Sequence, residues 1–99
     1  MEVVDKNSLF GILRQNKKVF LDFGVKRLGV FGSFVRGEQN EESDVDILVE
    51  FYKDKKNYRN YIAVNDYLEK LFGRKVDVVT KKSLSPYIGP YIEREVEYV

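Results

Sequence analysis

Two aspartates separated by one residue, Asp44 and Asp46, open the run Asp44-Val45-Asp46-Ile47-Leu48-Val49-Glu50-Phe51, which is otherwise almost wholly apolar. A third, Asp77, interrupts Val76-Asp77-Val78-Val79 in the same way. Side chains two apart on an extended strand project from one face, so Asp44 and Asp46 point together while Val45 and Ile47 face the other way. If the 76–79 strand lies beside 44–51, Asp77 arrives at the same face and three anionic groups meet within a few ångströms. Such clustering is costly in repulsion and desolvation unless protons or cations relieve it. Mg²⁺ would relieve it and bring a function, because it is held by one or two carboxylates together with substrate phosphates. An isolated Asp-x-Asp has a plainer explanation as well: a capped turn, and an ion pair with one of the seventeen Lys and Arg side chains.

The second chemical element is Phe31-Gly32-Ser33-Phe34-Val35-Arg36-Gly37. A strand that ends in Gly-Ser and turns into a short helix offers backbone N–H groups and a hydroxyl to a triphosphate. Arg36 adds a cation, either on a phosphate or bracing the turn through Glu38 or a neighbouring acid. The plain alternative is a strand-to-helix turn with Ser33 as N-cap. It is neither a Walker loop, which needs Gly-Lys-Ser/Thr, nor a dinucleotide fingerprint, since Gly-x-Gly-x-x-Gly is absent.

Composition narrows the chemistry further. The 99 residues contain no His and no Cys, which removes the commonest general base, thiolate catalysis, disulfides and Cys-based zinc sites. Hard, oxygen-seeking cations are the metals left to consider. Lys+Arg 17 against Asp+Glu 16 leaves a net charge of +1, so no global field would hold nucleic acid or an anionic membrane, and no direct nucleic-acid partner is expected. With 43% hydrophobic and 33% charged residues the chain reads as an ordinary soluble globule. No basic-then-apolar signal pattern opens it and no apolar run is long enough to cross a bilayer, so a cytoplasmic location is expected.

The elements that must position these residues follow from periodicity. Leu9, Ile12, Leu13, Phe20 and Phe23 fit one face of a helix over 8–23, with Asn7 or Ser8 as N-cap and Gly24 as its stop. Residues 25–31 read as a strand, 44–51 as a strand covered on both faces, 58–72 as a long helix stopped at Gly73, and 76–79 as a short strand. A last helix spans about 85–95, with Pro86 in its first turn and Pro90 making its start uncertain. No linker or repeat appears, and 1–99 reads as a single domain. Its order is α-β-α(short)-β-α-β-α, an α/β (α+β) arrangement in which a small mixed β-sheet carries flanking helices. The seven tyrosines suit core edges or an interface, and Lys53-Asp54-Lys55-Lys56 suits a solvated loop.

The spacing as a whole is more specific than its parts. Gly32-Ser33, ten residues, then Asp44-Val45-Asp46, with a further strand Asp at position 77, resembles the signature of the nucleotidyltransferase superfamily related to DNA polymerase β. The fuller string, Gly32-Ser33-Phe34-Val35-Arg36-Gly37-Glu38 through Ser43-Asp44-Val45-Asp46-Ile47-Leu48-Val49, resembles the MNT family of minimal nucleotidyltransferases, and the likeness spans essentially the whole chain. The resemblance implies a polymerase β-like nucleotidyltransferase fold, phosphate binding by Gly32 and Ser33, and coordination of two Mg²⁺ by Asp44 and Asp46. It also implies that Asp77 completes the metal set and helps deprotonate the acceptor. Larger relatives add a second domain that clamps base and acceptor, for which this chain has no room, so the acceptor surface would come from a partner and transfer to a small molecule is disfavoured. The family implies transfer of AMP from ATP to a tyrosine of a HEPN-domain ribonuclease toxin, within a hetero-oligomeric, type VII-like toxin–antitoxin pair. The competing expectation is a non-catalytic antitoxin that neutralises its partner by complex formation.

Overall fold

The computed structural model describes residues 5–99; residues 1–4, part of the segment read for a targeting signal, lie outside the described residues. The chain opens with α1 (Lys6–Gln15) and α2 (Lys17–Asp22), followed by β1 (Val25–Phe31), α3 (Ser33–Arg36) and β2 (Val45–Phe51). Then come α4 (Tyr58–Phe72), β3 (Val76–Val79), α5 (Gly89–Glu95) and β4 (Glu97–Tyr98).

The single helix expected over 8–23 is two. Asn16 breaks it because its side chain competes for backbone partners: the amide nitrogen donates to Ile12 O at 2.8 Å, and the amide oxygen accepts from Tyr67 Oη at 2.7 Å. The N-cap is Asp5 rather than Asn7 or Ser8. Asp5 accepts from the Ser8 amide at 2.8 Å, while Ser8 Oγ accepts from the Asp5 amide at 3.1 Å, a reciprocal pair that satisfies the first turn. Phe20 continues the buried stripe of Leu9, Ile12 and Leu13 in spite of the break.

The sheet has strand order β3-β2-β1-β4. β1 pairs antiparallel with both β2 and β4, and β2 pairs parallel with β3, so the sheet is mixed as expected. Alternation along β2 sends Val45, Ile47, Val49 and Phe51 into the main core, where they meet Leu9 and Leu13 of α1, Phe34 of α3, and Val64 and Leu68 of α4. Nine of the core side chains have less than 2% exposure, which makes this face the main source of hydrophobic stabilisation. Asp46, Leu48 and Glu50 alternate with them and belong to the opposite face. The carboxylates therefore interrupt the strand without interrupting the core.

One expectation at the C-terminal end needs correction, and one element there was not expected. The last helix begins at Gly89, not near 85, because a helix through both prolines would need an N–H from Pro90 and room for its ring against the Pro86 carbonyl. Residues 85–88 form a turn instead, in which Gly89 N donates to Ser85 O at 2.8 Å. After α5 the chain adds β4, a two-residue edge strand too short to leave a periodic pattern.

Candidate active site

Asp46 and Asp77 are direct register partners on the parallel strands β2 and β3, and Asp46 faces Phe31, the last residue of β1, across the antiparallel pair. Gly32 follows immediately. The glycine turn and two of the expected carboxylates therefore meet at one end of the sheet. Asp44 stands one residue before β2, exposed like Asp77, while Asp46 is half-buried. Burial, followed by the charges of Asp77 and Asp44, pushes the Asp46 carboxyl up from 3.8 to about 6, against a smaller opposing pull from Arg36. Among the described residues none of the three aspartates forms an ion pair, so the plainer explanation of Asp46 as half of a salt bridge is not what the structure holds.

Gly32 is required by two constraints at once. Its φ of 79° lies in the left-handed region, and a Cβ there would collide with the Asp46 carboxylate. Gly32 also occupies the N-cap position of α3, so Ser33 is the first helical residue and not the cap; no side chain caps this helix. The Ser33 hydroxyl is left without a partner among the described residues and remains available to a ligand. Arg36 pairs with Glu38 at 2.5 Å and with Glu95 at 2.5 Å, which are the bracing contacts expected as one of its two roles.

Two positions that sequence reasoning missed belong to the site. Glu95, at the end of α5, accepts from the Gly32 amide at 2.8 Å. Burial raises its pKa, but the Gly32 amide and Arg36 outweigh that and the net shift is downward, so Glu95 is held ionised. Arg74 donates from Nη1 to Asn40 O at 3.2 Å and Ser43 O at 3.0 Å, and its guanidinium stacks 5.2 Å from the Phe34 ring centroid. It thereby ties the loop that delivers Asp44 to the start of β3, where Val45 N also donates to Lys75 O at 3.1 Å. No local pattern marks either residue, because their partners lie 31 to 63 positions away.

Gly32, Arg36, Asp46, Ile88, Tyr91 and Glu95 line one open cleft of about 480 Å³. A separate cleft of about 240 Å³, lined by Leu13, Phe20, Leu21 and Leu28 with Lys17 and Lys18 at its rim, shares none of these residues. Among the described residues no three acidic side chains are drawn together as a ready-made cation cage. The three carboxylates expected to meet within a few ångströms are thus not gathered so closely, and Asp46 and Asp77 are the two that share a register; Mg²⁺ takes one or two carboxylates and completes its shell with water and phosphate oxygens. The donor set fits: all-oxygen, without an ion-pair partner among the described residues, and with the charged form of Asp46 destabilised by burial and then by its acidic neighbours.

Comparison with known proteins agrees with this architecture. The family model described as "Nucleotidyltransferase domain" matches residues 8–99, and the chain belongs to that family. It is 44% identical over 100 residues to the protein adenylyltransferase MntA of Thermococcus cleftensis, with 100% of both chains covered. It is 50% identical over 93 residues to MJ1379 of Methanocaldococcus jannaschii, covering 89% of this chain and 91% of that one. A solved structure in the minimal nucleotidyltransferase class superposes with a TM-score of 0.82 at 31% identity, covering 95% of each chain. A toxin–antitoxin crystal structure with AMP-PNP shares the fold at a TM-score of 0.66 and 22% identity, covering 96% of this chain and 72% of that one. Among the described residues no helix is long and apolar enough to cross a membrane.

Proposed function

We propose that this protein transfers AMP from ATP to a tyrosine of a HEPN ribonuclease toxin and so acts as the antitoxin of the pair. The observation that carries the reading is the register Asp46 opposite Asp77, set beside the Gly32 turn at the end of β1. Full-length similarity to a protein adenylyltransferase supports the choice of a protein as acceptor.

Gly32, Ser33 and Arg36 receive the triphosphate, the first two through the backbone amide and hydroxyl and the third through its charge. Asp46 and Asp77, with Asp44 beside them, would hold Mg²⁺. When bound, the ions neutralise charge on the phosphates and on the departing pyrophosphate, which is most of what phosphoryl-type transfer asks of an enzyme. The acceptor oxygen forms a bond to the α-phosphorus as the α–β bridging P–O bond breaks; pyrophosphate leaves, and the acceptor proton passes towards Asp77 and then to solvent. Gly32 keeps the backbone close to Asp46, so that donors for the phosphates and carboxylates for the cations address the same small volume.

One observation favours the competing reading of neutralisation by binding alone. Tyr87, Ile88 and Tyr91 are 84%, 58% and 68% exposed around α5, an apolar surface beside the cleft on which a partner could be occluded. Mixing the protein with its toxin, ATP and Mg²⁺ separates the two. Loss of ribonuclease activity that requires ATP and survives removal of the antitoxin supports transfer, whereas neutralisation without ATP that reverses on separation supports occlusion.

A further inference from the structure

The donors suited to a phosphate are already engaged by a carboxylate of the chain itself. Gly32 N–H donates to Glu95 Oε2 at 2.8 Å and Arg36 Nη1 donates to Glu95 Oε1 at 2.5 Å. One carboxylate thus uses both oxygens to span a backbone amide and a guanidinium, as two oxygens of a phosphoryl group would. The contact is tertiary, joining residues 63 positions apart, and it opens on the cleft that also contains Asp46.

α5 has little else to hold it. It buries only Gly89 and supplies no side chain to the main core, while Tyr91 and the adjacent Ile88 stay exposed. Past its C-terminal end, Glu97 pairs with Lys6 at 2.6 Å and β4 joins the sheet. The Glu95 contacts therefore fasten this helix to the glycine turn.

We propose that Glu95 is a displaceable stand-in for a nucleotide phosphate: it holds Gly32 N–H and Arg36 in position, and an arriving triphosphate takes both donors and unfastens α5. This rests on the reading that the triphosphate binds at Gly32 and Arg36. The exchange is driven by the greater charge of the phosphate on Arg36, and it is opposed by the need to move a carboxylate away from an incoming polyanion. Glu95 is a positioning residue here, with 24% of its side chain exposed and a short path to solvent. Displacing it also frees the segment that carries Ile88 and Tyr91, so nucleotide occupancy changes the surface offered beside the cleft.

The test is calorimetric titration of the full chain with inorganic tripolyphosphate in the absence of metal, comparing wild type with Glu95→Gln. The neutral amide keeps the size of the side chain and surrenders the donors without repelling the ligand, so binding should tighten by about threefold to tenfold. Equal or weaker binding by the variant would overturn the proposal and make Glu95 a simple brace, and so would an absence of tripolyphosphate binding by both proteins. Amide hydrogen exchange on the wild type gives a second readout. Saturating tripolyphosphate should speed exchange in α5, and an unchanged or slowed α5 contradicts the release. Neither measurement involves AMP transfer or a protein acceptor. If the titration behaves as stated and no transfer occurs, the enzymatic reading fails alone; if transfer occurs and the Glu95 effect is absent, only this inference fails.

Discussion

Asp46 and Asp77 stand opposite each other on adjacent parallel strands, one half-buried and one exposed, with no cation paired to either among the described residues. Two like charges in such a register repel, and a protein that only needed a stable sheet would gain by losing one of them.

The first expectation follows from that repulsion. Asp46 has its carboxyl pushed up to about 6 from 3.8 by burial and by the Asp77 and Asp44 charges, so the folded, metal-free protein binds this proton more tightly than the unfolded chain. The associated stability is fully present below pH 3.8 and is lost as pH rises through about 6. Thermal melts of the chelated protein should show this loss, worth about 1 kcal/mol after discounting for solvent screening. Asp46→Asn should flatten that part of the profile and melt no lower than wild type near neutral pH. A variant that melts well below wild type would show that Asp46 stabilises the fold.

The same substitution should be severe for function. Asp46→Asn and Asp77→Asn are each expected to lower transfer on the order of 10²-fold or more while circular dichroism stays that of the wild type. Near-normal transfer by either variant, measured with radiolabelled ATP, would remove that residue from the site.

Gly32→Ala combines a left-handed backbone with a clash against the Asp46 carboxylate. A loss of about 1–3 kcal/mol in urea unfolding is expected, together with loss of nucleotide binding. Unchanged stability would mean that the turn has another low-energy conformation.

Arg74 offers a test at a distance from the cleft. Its fork holds two carbonyls of the loop that presents Asp44, and Lys lacks the planar geometry to hold both. Arg74→Lys should reduce transfer about tenfold, chiefly in kcat, with little change in KM for ATP. An effect confined to melting temperature would make Arg74 structural only.

The strands and the long helix were legible because their signals are local. Alternating burial along 45–51, the Gly73 stop and the apolar stripe of 58–72 each depend on neighbours within a turn or two. The aspartate face was legible for the same reason, since alternation alone separates Asp46 from Val45 and Ile47. What escaped was set by tertiary partners. Asn16 ends α1 in part because its amide oxygen accepts from Tyr67 Oη, and Ser33 is displaced from the cap because Gly32 must fit against Asp46. Glu95 is one acid among several on a short helix until the fold brings it to Gly32. The second proline offered a usable warning: a helix read through both Pro86 and Pro90 was already in conflict with its own backbone hydrogen bonds.

The most direct test is intact-mass analysis of the toxin after incubation with this protein, ATP and Mg²⁺. The mass should rise by one or more AMP units, the added group should map to a tyrosine, and the increase should vanish with Asp46→Asn. An unmodified toxin that is nevertheless fully neutralised would contradict catalysis and leave binding alone as the mode of action.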